Sequence, residues 1–155
     1  MEMSRPSEEH LRLKELEGEW TGTETMHPSP WDPQGGQARA FIRNRVVLGG
    51  FNLLHEYCQE RDGAVTFEGV GVFAYDPGED QYLLYWFDSS GLLPPDRFAG
   101  SWKGRVLELT AENAMGHHRC RYELGEGRYS FRMEVSPDGE QWMTFLEGEY
   151  ERAGP

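Results

Sequence analysis

The chain has 155 residues, of which 37% are hydrophobic and 13% aromatic, and it carries a formal net charge of −12. This length is typical of one domain, and we interpret residues 1–155 as a single one. The negative charge disfavours nucleic acids and acidic membrane surfaces as partners, and no apolar run approaches the roughly 18 residues of a membrane-spanning helix. The first ten residues are polar and lack the apolar centre of a signal peptide, so we expect a cytoplasmic location.

A short helix is predicted first, over residues 6–17. Ser7 suits the N-cap, the two glutamates after it suit the positive end of a helix, and Gly18 suits the stop. Leu13 and Leu16 share one face. Because so short a helix is not stable alone, we expect this face to pack against the rest of the chain.

The remainder of the chain alternates apolar and polar residues in about ten short segments, which are separated by glycine, proline or aspartate turns. Such a series at intervals of about 8–12 residues is typical of an antiparallel sandwich or barrel. The predicted strands cover about 19–26, 37–47, 51–60, 64–75, 81–88, 96–103, 105–112, 116–124, 127–135 and 140–151. The proline-containing segments 27–36 and 89–95 are predicted to be loops at the mouth of a barrel.

Strand 81–88 is apolar on both of its faces. The pattern indicates a strand that is covered on both sides or one that contributes to an association surface, so a homodimer is one expectation.

The two cysteines, Cys58 and Cys120, fall on different predicted strands, and we expect two reduced thiols in or near the core.

Three segments carry a resemblance to known families: LEGEWTG at 16–22, VLGGFNLL at 47–54 and FEGVG at 67–71. The first resembles the opening strand of the calycin group, which includes lipocalins and fatty-acid-binding proteins, and it is distantly similar to nitrobindin, a haem-binding barrel. The other two, together with Tyr75-Asp76, resemble an uncharacterised bacterial family of unknown function that is assigned a lipocalin-like barrel. We therefore expect an all-β, antiparallel, lipocalin-like β-barrel of about ten strands with a short N-terminal helix. His55 departs from the family pattern, which has an acidic residue there.

Two histidines are candidates for chemistry. His55 shares its strand face with Phe51, Leu53 and Tyr57, so it is either a hydrogen-bonded core histidine or a polar anchor inside the barrel. His118 follows His117, but neighbouring side chains on a strand diverge, so the pair does not form a metal site. A metal or haem would require His55 and His118 to meet across the interior, and we expect neither metal nor cofactor.

Two further patterns receive ordinary interpretations. The segment 69–74 (GVGVFA) resembles a dinucleotide fingerprint, but a turn follows it instead of a helix, so we interpret its glycines as sites of bending or close packing. Two acids meeting inside the barrel would form a catalytic pair, whereas most of the 27 acidic residues are expected to be solvated. The acids considered are Glu24, Glu68, Asp88, Glu108 and Glu147.

The leading functional hypothesis is non-covalent binding of a small apolar or amphipathic molecule inside the barrel, without catalysis. Arg121 is a further candidate for orienting a polar group of that molecule. The predicted ligand contacts are Trp20, His55, Tyr57, Phe67, Phe73, Tyr82, Trp86, His118, Tyr122, Phe131 and Trp142. Three alternatives stay open: an acid/base isomerase, lyase or hydrolase, a haem or metal protein, and a structural module with a solidly packed interior.

Overall fold

Ten antiparallel strands close into a barrel in the computed structural model, which describes residues 3–30 and 32–153. Each strand pairs with its neighbours in the chain, and the first strand closes the ring against the last. The strands are β1 Gly18–Met26, β2 Gly36–Val47, β3 Asn52–Arg61, β4 Ala64–Asp76, β5 Gln81–Asp88, β6 Asp96–Lys103, β7 Val106–Asn113, β8 Gly116–Leu124, β9 Arg128–Ser136 and β10 Met143–Arg152. The predicted all-β barrel of ten strands is confirmed.

The N-terminal helix is shorter than the sequence suggested. Only Glu8–Leu11 is α-helical (α1), and the chain continues as a 3-10 helix over Arg12–Leu16. Ser7 caps α1 as predicted, because its hydroxyl accepts from the His10 amide while the His10 ring accepts from the Ser7 amide. Leu13 and Leu16 are 2% and 1% exposed, so the helix plugs one end of the barrel.

The interior has two parts that differ in packing. We call the part next to the helix the packed half; its side chains are almost fully buried. They include Leu13, Leu16, Leu53, Phe73, Leu107 and Leu109. The part at the other end of the strands, the open half, contains the small buried cluster of Met26, Ala38 and Leu146 and is otherwise lined by side chains that are partly buried. They include Phe67, Trp86, Ala111, His118, Phe131 and Met133.

The two predicted mouth loops connect strands at the open half. The first joins β1 to β2 and contains a bridge between Ser29 and Asp32, and the second joins β5 to β6. Trp31, which the sequence places in the first loop, lies outside the described residues. None of the helices in the described part of the chain has the length and apolar character needed to span a bilayer.

The outer face of β5 is only partly covered. Leu83 is 8% exposed, whereas Tyr85 and Phe87 are 38% and 49% exposed. Association through these two aromatic side chains stays a prediction.

Both cysteines are free thiols; Cys120 is buried and Cys58 is partly buried.

Candidate functional site

The predicted ligand contacts divide between the two halves of the barrel. Trp20, Phe73, Tyr82 and Tyr122 are buried and belong to the main hydrophobic cluster. Phe67, Trp86, His118 and Phe131 are partly buried and lie in the open half. His55 and Tyr57 lie between these two groups, on β3. The role of all these residues as ligand contacts stays a prediction.

Two candidates lie on the outer wall and are corrected here. Trp142 precedes β10 instead of belonging to it, and its ring lies 4.1 Å from the guanidinium of Arg119. Arg119 faces outward from β8 and forms two hydrogen bonds with Glu134, at 3.1 and 2.9 Å. Arg121 also faces outward, 3.3 Å from Glu108. The register of β10 against β9 shifts between Thr144 and Leu146, where Phe145 is an extra residue. Uninterrupted alternation along β10 would place Trp142 inside, and this irregularity reverses the faces of the residues before it.

A chain of hydrogen bonds fixes the orientation of His55. Asn44 Nδ2 donates to the carbonyl oxygen of Leu16 at the end of the 3-10 helix, at 2.8 Å. The carboxamide oxygen of Asn44 is therefore turned toward His55 and lies 2.6 Å from its Nδ1. Because a carboxamide oxygen only accepts, Nδ1 carries the proton and Nε2 carries the lone pair of the neutral ring.

His55 is surrounded by aromatic rings. The ring centroids of Phe73 and Trp86 both lie 5.9 Å from the imidazole, and the Tyr57 ring is nearly parallel to it at 6.4 Å. Burial among these rings lowers the pKa of His55 from 6.5 to about 4, because the charged imidazolium loses its hydration. The side chain is therefore neutral at pH 7.

Two glycines of β4 position Trp86. A Cβ atom on Gly69 would lie 2.1 Å from the Trp86 ring, and one on Gly71 would lie 2.7 Å from Leu84 and 3.3 Å from Trp86. The indole therefore occupies space that side chains at these positions would fill, and its Nε1 donates to Asp88 at 2.9 Å. The close packing predicted for this glycine segment is what brings Trp86 to His55 and Tyr57.

One buried nitrogen of His118 has no hydrogen-bond partner in the described part of the barrel. His118 lies on the inner face of β8, opposite Ala111 on β7 and Val135 on β9. Among the described residues, nothing forms a hydrogen bond with its Nε2. Burial lowers the pKa of His118, and the nearby Asp96 carboxylate partly opposes this shift. A buried imidazole nitrogen in this state has an unmet hydrogen bond.

Glu24 is a buried carboxylate whose acceptor oxygens are well used. It is 1% exposed and accepts from Tyr57 at 2.5 Å, Gln59 at 2.9 Å and Tyr150 at 2.6 Å. Gly148 makes room for this contact, because a Cβ atom there would lie 2.1 Å from the Tyr150 hydroxyl. Burial, and then the charge of Glu24, raise the pKa of both tyrosines well above 10.

Sequence reasoning named Glu24 only as one acid among several. The available signal was its position on the same strand face as Trp20 and Met26, which predicts an inward carboxylate. Its partners on β3 and β10 were beyond the reach of the pattern. No group of three or more histidine, cysteine or acidic side chains is arranged as a metal site within residues 3–30 and 32–153.

Two grooves lie on the outer wall of the barrel. One, of about 510 Å³, is bordered by Phe41, Cys58 and Val70. The other, of about 460 Å³, is bordered by charged residues that include Arg132 and Glu149. Neither groove includes His55 or His118.

Comparison with known proteins supports the fold and gives the family. No curated protein matches the chain. The crystal structure of Rv2717c from M. tuberculosis is similar, with a TM-score of 0.74 and 17% sequence identity over 96% of this chain and 99% of that one. At this identity the likeness concerns the fold. A family model described as a protein of unknown function, DUF1579, matches residues 5–152. Since the match spans nearly the whole sequence, this chain belongs to the DUF1579 family.

Proposed function

We propose that the barrel binds a small, partly apolar molecule in its open half. The molecule lies between the aromatic side chains that line this half and the two neutral histidines. Binding is non-covalent and buries apolar surface, and the histidines orient a polar group of the molecule. The loops that join β1 to β2 and β5 to β6 stand at the entrance.

The observation that carries the proposal is the Nε2 of His118, which is buried and has no hydrogen-bond partner within residues 3–30 and 32–153. Leaving a buried nitrogen without a hydrogen bond costs about 1–3 kcal/mol, and a bound molecule removes this cost. The same region holds partly buried aromatic surface from Phe67, Trp86 and Phe131. Apolar walls with a few unsatisfied polar groups are typical of small-molecule sites.

The acid/base alternative has weaker support. Its natural candidate, Glu24, already accepts three hydrogen bonds from neighbouring side chains. A catalytic base needs a lone pair directed at the substrate. Binding without catalysis is therefore the function that we put forward.

Methionine methyl groups offer a direct test. Met26 is buried and Met133 is partly buried in the interior, whereas Met3 and Met115 are 85% and 68% exposed. We would label the methionine methyl carbons with ¹³C and titrate the protein with 2-methoxynaphthalene and 2-naphthol. Saturable shifts at Met133 or Met26, with the methyl groups of Met3 and Met115 unchanged, are the expected result.

Two outcomes would contradict the proposal. One is the absence of any saturable shift, and the other is a shift confined to the exposed methionines. Ala111→Leu provides the matched check, because it adds apolar volume beside His118 and should weaken binding at the interior site. Ala74→Leu adds the same side chain on the outward face of β4 and should leave the affinity unchanged.

A further inference from the structure

The hydrogen bonds that hold His55 also restrict what it can bind. Leu16 O accepts from Asn44 Nδ2 at 2.8 Å and from Trp20 Nε1 at 3.0 Å, so both of its lone pairs are occupied. Turning the Asn44 carboxamide over would place its oxygen against this carbonyl oxygen. The amide is therefore held in one orientation, with its oxygen toward His55.

This orientation determines the tautomer of His55. Nδ1–H donates to the Asn44 oxygen, so the opposite nitrogen, Nε2, is an acceptor. The imidazole plane is held by Phe73, Trp86 and Tyr57, whose rings approach it from three sides. The hydrogen bond from Nδ1 to Asn44 therefore determines which ring nitrogen carries the proton and how the imidazole is oriented.

We infer that the ligand of the barrel carries an O–H or N–H group and donates it to His55 Nε2. The ligand class is therefore a small aromatic or other apolar molecule with one hydrogen-bond donor, such as a phenol, an alcohol or an N–H heterocycle. This inference rests on the proposed function and makes it narrower. A molecule of the same shape that can only accept, such as the corresponding methyl ether, would place an acceptor against the Nε2 lone pair.

Asn44 is a positioning residue in this arrangement. It acts through His55, because its oxygen meets Nδ1, while its Nδ2 donates to Leu16 O and the side chain also contacts Tyr129. Asn44→Leu keeps a side chain of similar size and removes the acceptor that selects the tautomer. In that variant Nε2 is free to take up the proton, so the preference for a donor ligand should shrink.

The tautomer is measurable without any ligand or variant. Two-bond ¹H–¹⁵N spectra of the uniformly labelled wild-type protein at pH 7 distinguish a protonated Nδ1 from a protonated Nε2. We expect His55 to show a protonated Nδ1 and a lone pair on Nε2. A protonated Nε2, or an even mixture of the two tautomers, would overturn the inference even if ligands bind.

The ligand class is tested with two matched pairs of probes: 2-naphthol against 2-methoxynaphthalene, and indole against 1-methylindole. In each pair the donor should bind about 2- to 10-fold more tightly, which is the usual net effect of one hydrogen bond. His55→Phe should abolish this preference and still bind the methylated probes. His117→Phe makes the same replacement on the outward face of β8 and should preserve the preference.

The possible failures point to different errors. If neither member of either pair binds, the proposed function is wrong, and the inferred ligand class is then wrong as well. If both members bind equally, or the methylated probe binds more tightly, the barrel binds small molecules but His55 does not select a donor. If His55→Phe retains the preference, a different group receives the ligand's hydrogen bond, and the assignment to His55 is wrong.

Discussion

Two polar groups inside the barrel differ in how fully their hydrogen bonds are satisfied. Glu24 is surrounded by three donors and is 1% exposed, so its burial is compensated by protein contacts. His118, in the open half, has a buried nitrogen without a partner in the described part of the chain. The contrast indicates that Glu24 holds β1, β3 and β10 together, whereas His118 is available to a ligand.

Packing follows the same division. The packed half is filled by side chains such as Phe73 and Leu107, both with 0% exposure, while the open half is lined by partly buried aromatic residues. Buried and well-packed side chains contribute most to stability. The following predictions compare matched changes in the two parts, and they are ordered from the largest expected effect.

Removing a phenyl ring should be costly only in the packed half. Phe73→Ala should lower the free energy of unfolding by about 3–5 kcal/mol, because it leaves a cavity among fully buried neighbours. Phe67→Ala removes the same ring from the open half, and we expect a loss of roughly 1 kcal/mol. Urea denaturation of the two variants measures both values. Equal losses would show that the open half is packed as tightly as the rest.

Acid should weaken the fold through His55. Its pKa is about 4 in the folded protein against 6.5 when unperturbed, so between these values the unfolded chain binds a proton that the native protein does not. The free energy of unfolding should therefore fall as the pH decreases from 6.5 to 4, by roughly 3 kcal/mol from this group. Tyr57, the titratable side chain that stacks on His55, stays protonated throughout, because burial raises its pKa.

His55→Phe isolates this contribution. The variant should lose that part of the pH dependence, while other titrating groups contribute equally to both proteins. Denaturation curves at several pH values, compared as wild type minus variant, give the difference directly. A difference that does not change between pH 6.5 and 4 would contradict the burial of a neutral imidazole.

Removing the buried carboxylate of Glu24 should lower the free energy of unfolding, because its hydrogen-bond donors stay buried. Glu24→Ala leaves the hydroxyls of Tyr57 and Tyr150 and the amide of Gln59 without their acceptor, and we expect a loss of about 2–3 kcal/mol in unfolding free energy. Glu147→Ala is the control on the outer wall, where a 42% exposed side chain pairs with His27 and Arg132. Its loss should stay below about 1 kcal/mol. Similar losses in the two variants would contradict the assignment of Glu24 as an interior crosslink.

Adding apolar volume should change the free energy of unfolding least. Comparing such a change in the two halves tests whether the open half has unfilled space. Ala40 is 0% exposed, so Ala40→Leu should cost about 1–3 kcal/mol by overpacking. Ala111 is partly buried next to His118, and Ala111→Leu should change the unfolding free energy by no more than about 0.5 kcal/mol. Thermal or urea unfolding distinguishes the two. A large loss for Ala111→Leu would mean that the open half has no room for a ligand.

Much of the fold was predictable from local pattern. Alternation and turn residues placed all ten strands close to their observed bounds, and Leu13 and Leu16 were correctly expected to dock the helix. Errors arose at the ends of elements. The helix changes to a 3-10 conformation at Arg12, and β10 begins at Met143, after Trp142. The extra residue at Phe145 shifts the register of β10 by one and so reverses the face on which Trp142 was expected, because strand faces alternate with every residue.

The candidate site was predictable only as a set of inward-facing residues. His55, Tyr57, Trp86 and His118 were identified from the sequence, but their relations were not. The contact of Glu24 with Tyr150 joins residues 126 positions apart, and the Asn44 to Leu16 bond spans 28. Pairings of this kind depend on how the strands close around the interior, and period-two alternation contains no information on that.

The sequence by itself determined which residues form strands and which of their faces are apolar, because these depend on neighbours two positions apart and on local turns. Only the tertiary structure decided which buried polar atoms find partners. Asn44 forms hydrogen bonds with both Leu16 at the end of the 3-10 helix and His55. His118 lies opposite the apolar residues Ala111 and Val135 on the neighbouring strands. Hydrogen bonding is directional and short-ranged, so it is settled by the three-dimensional position of each atom rather than by the order of residues in the chain.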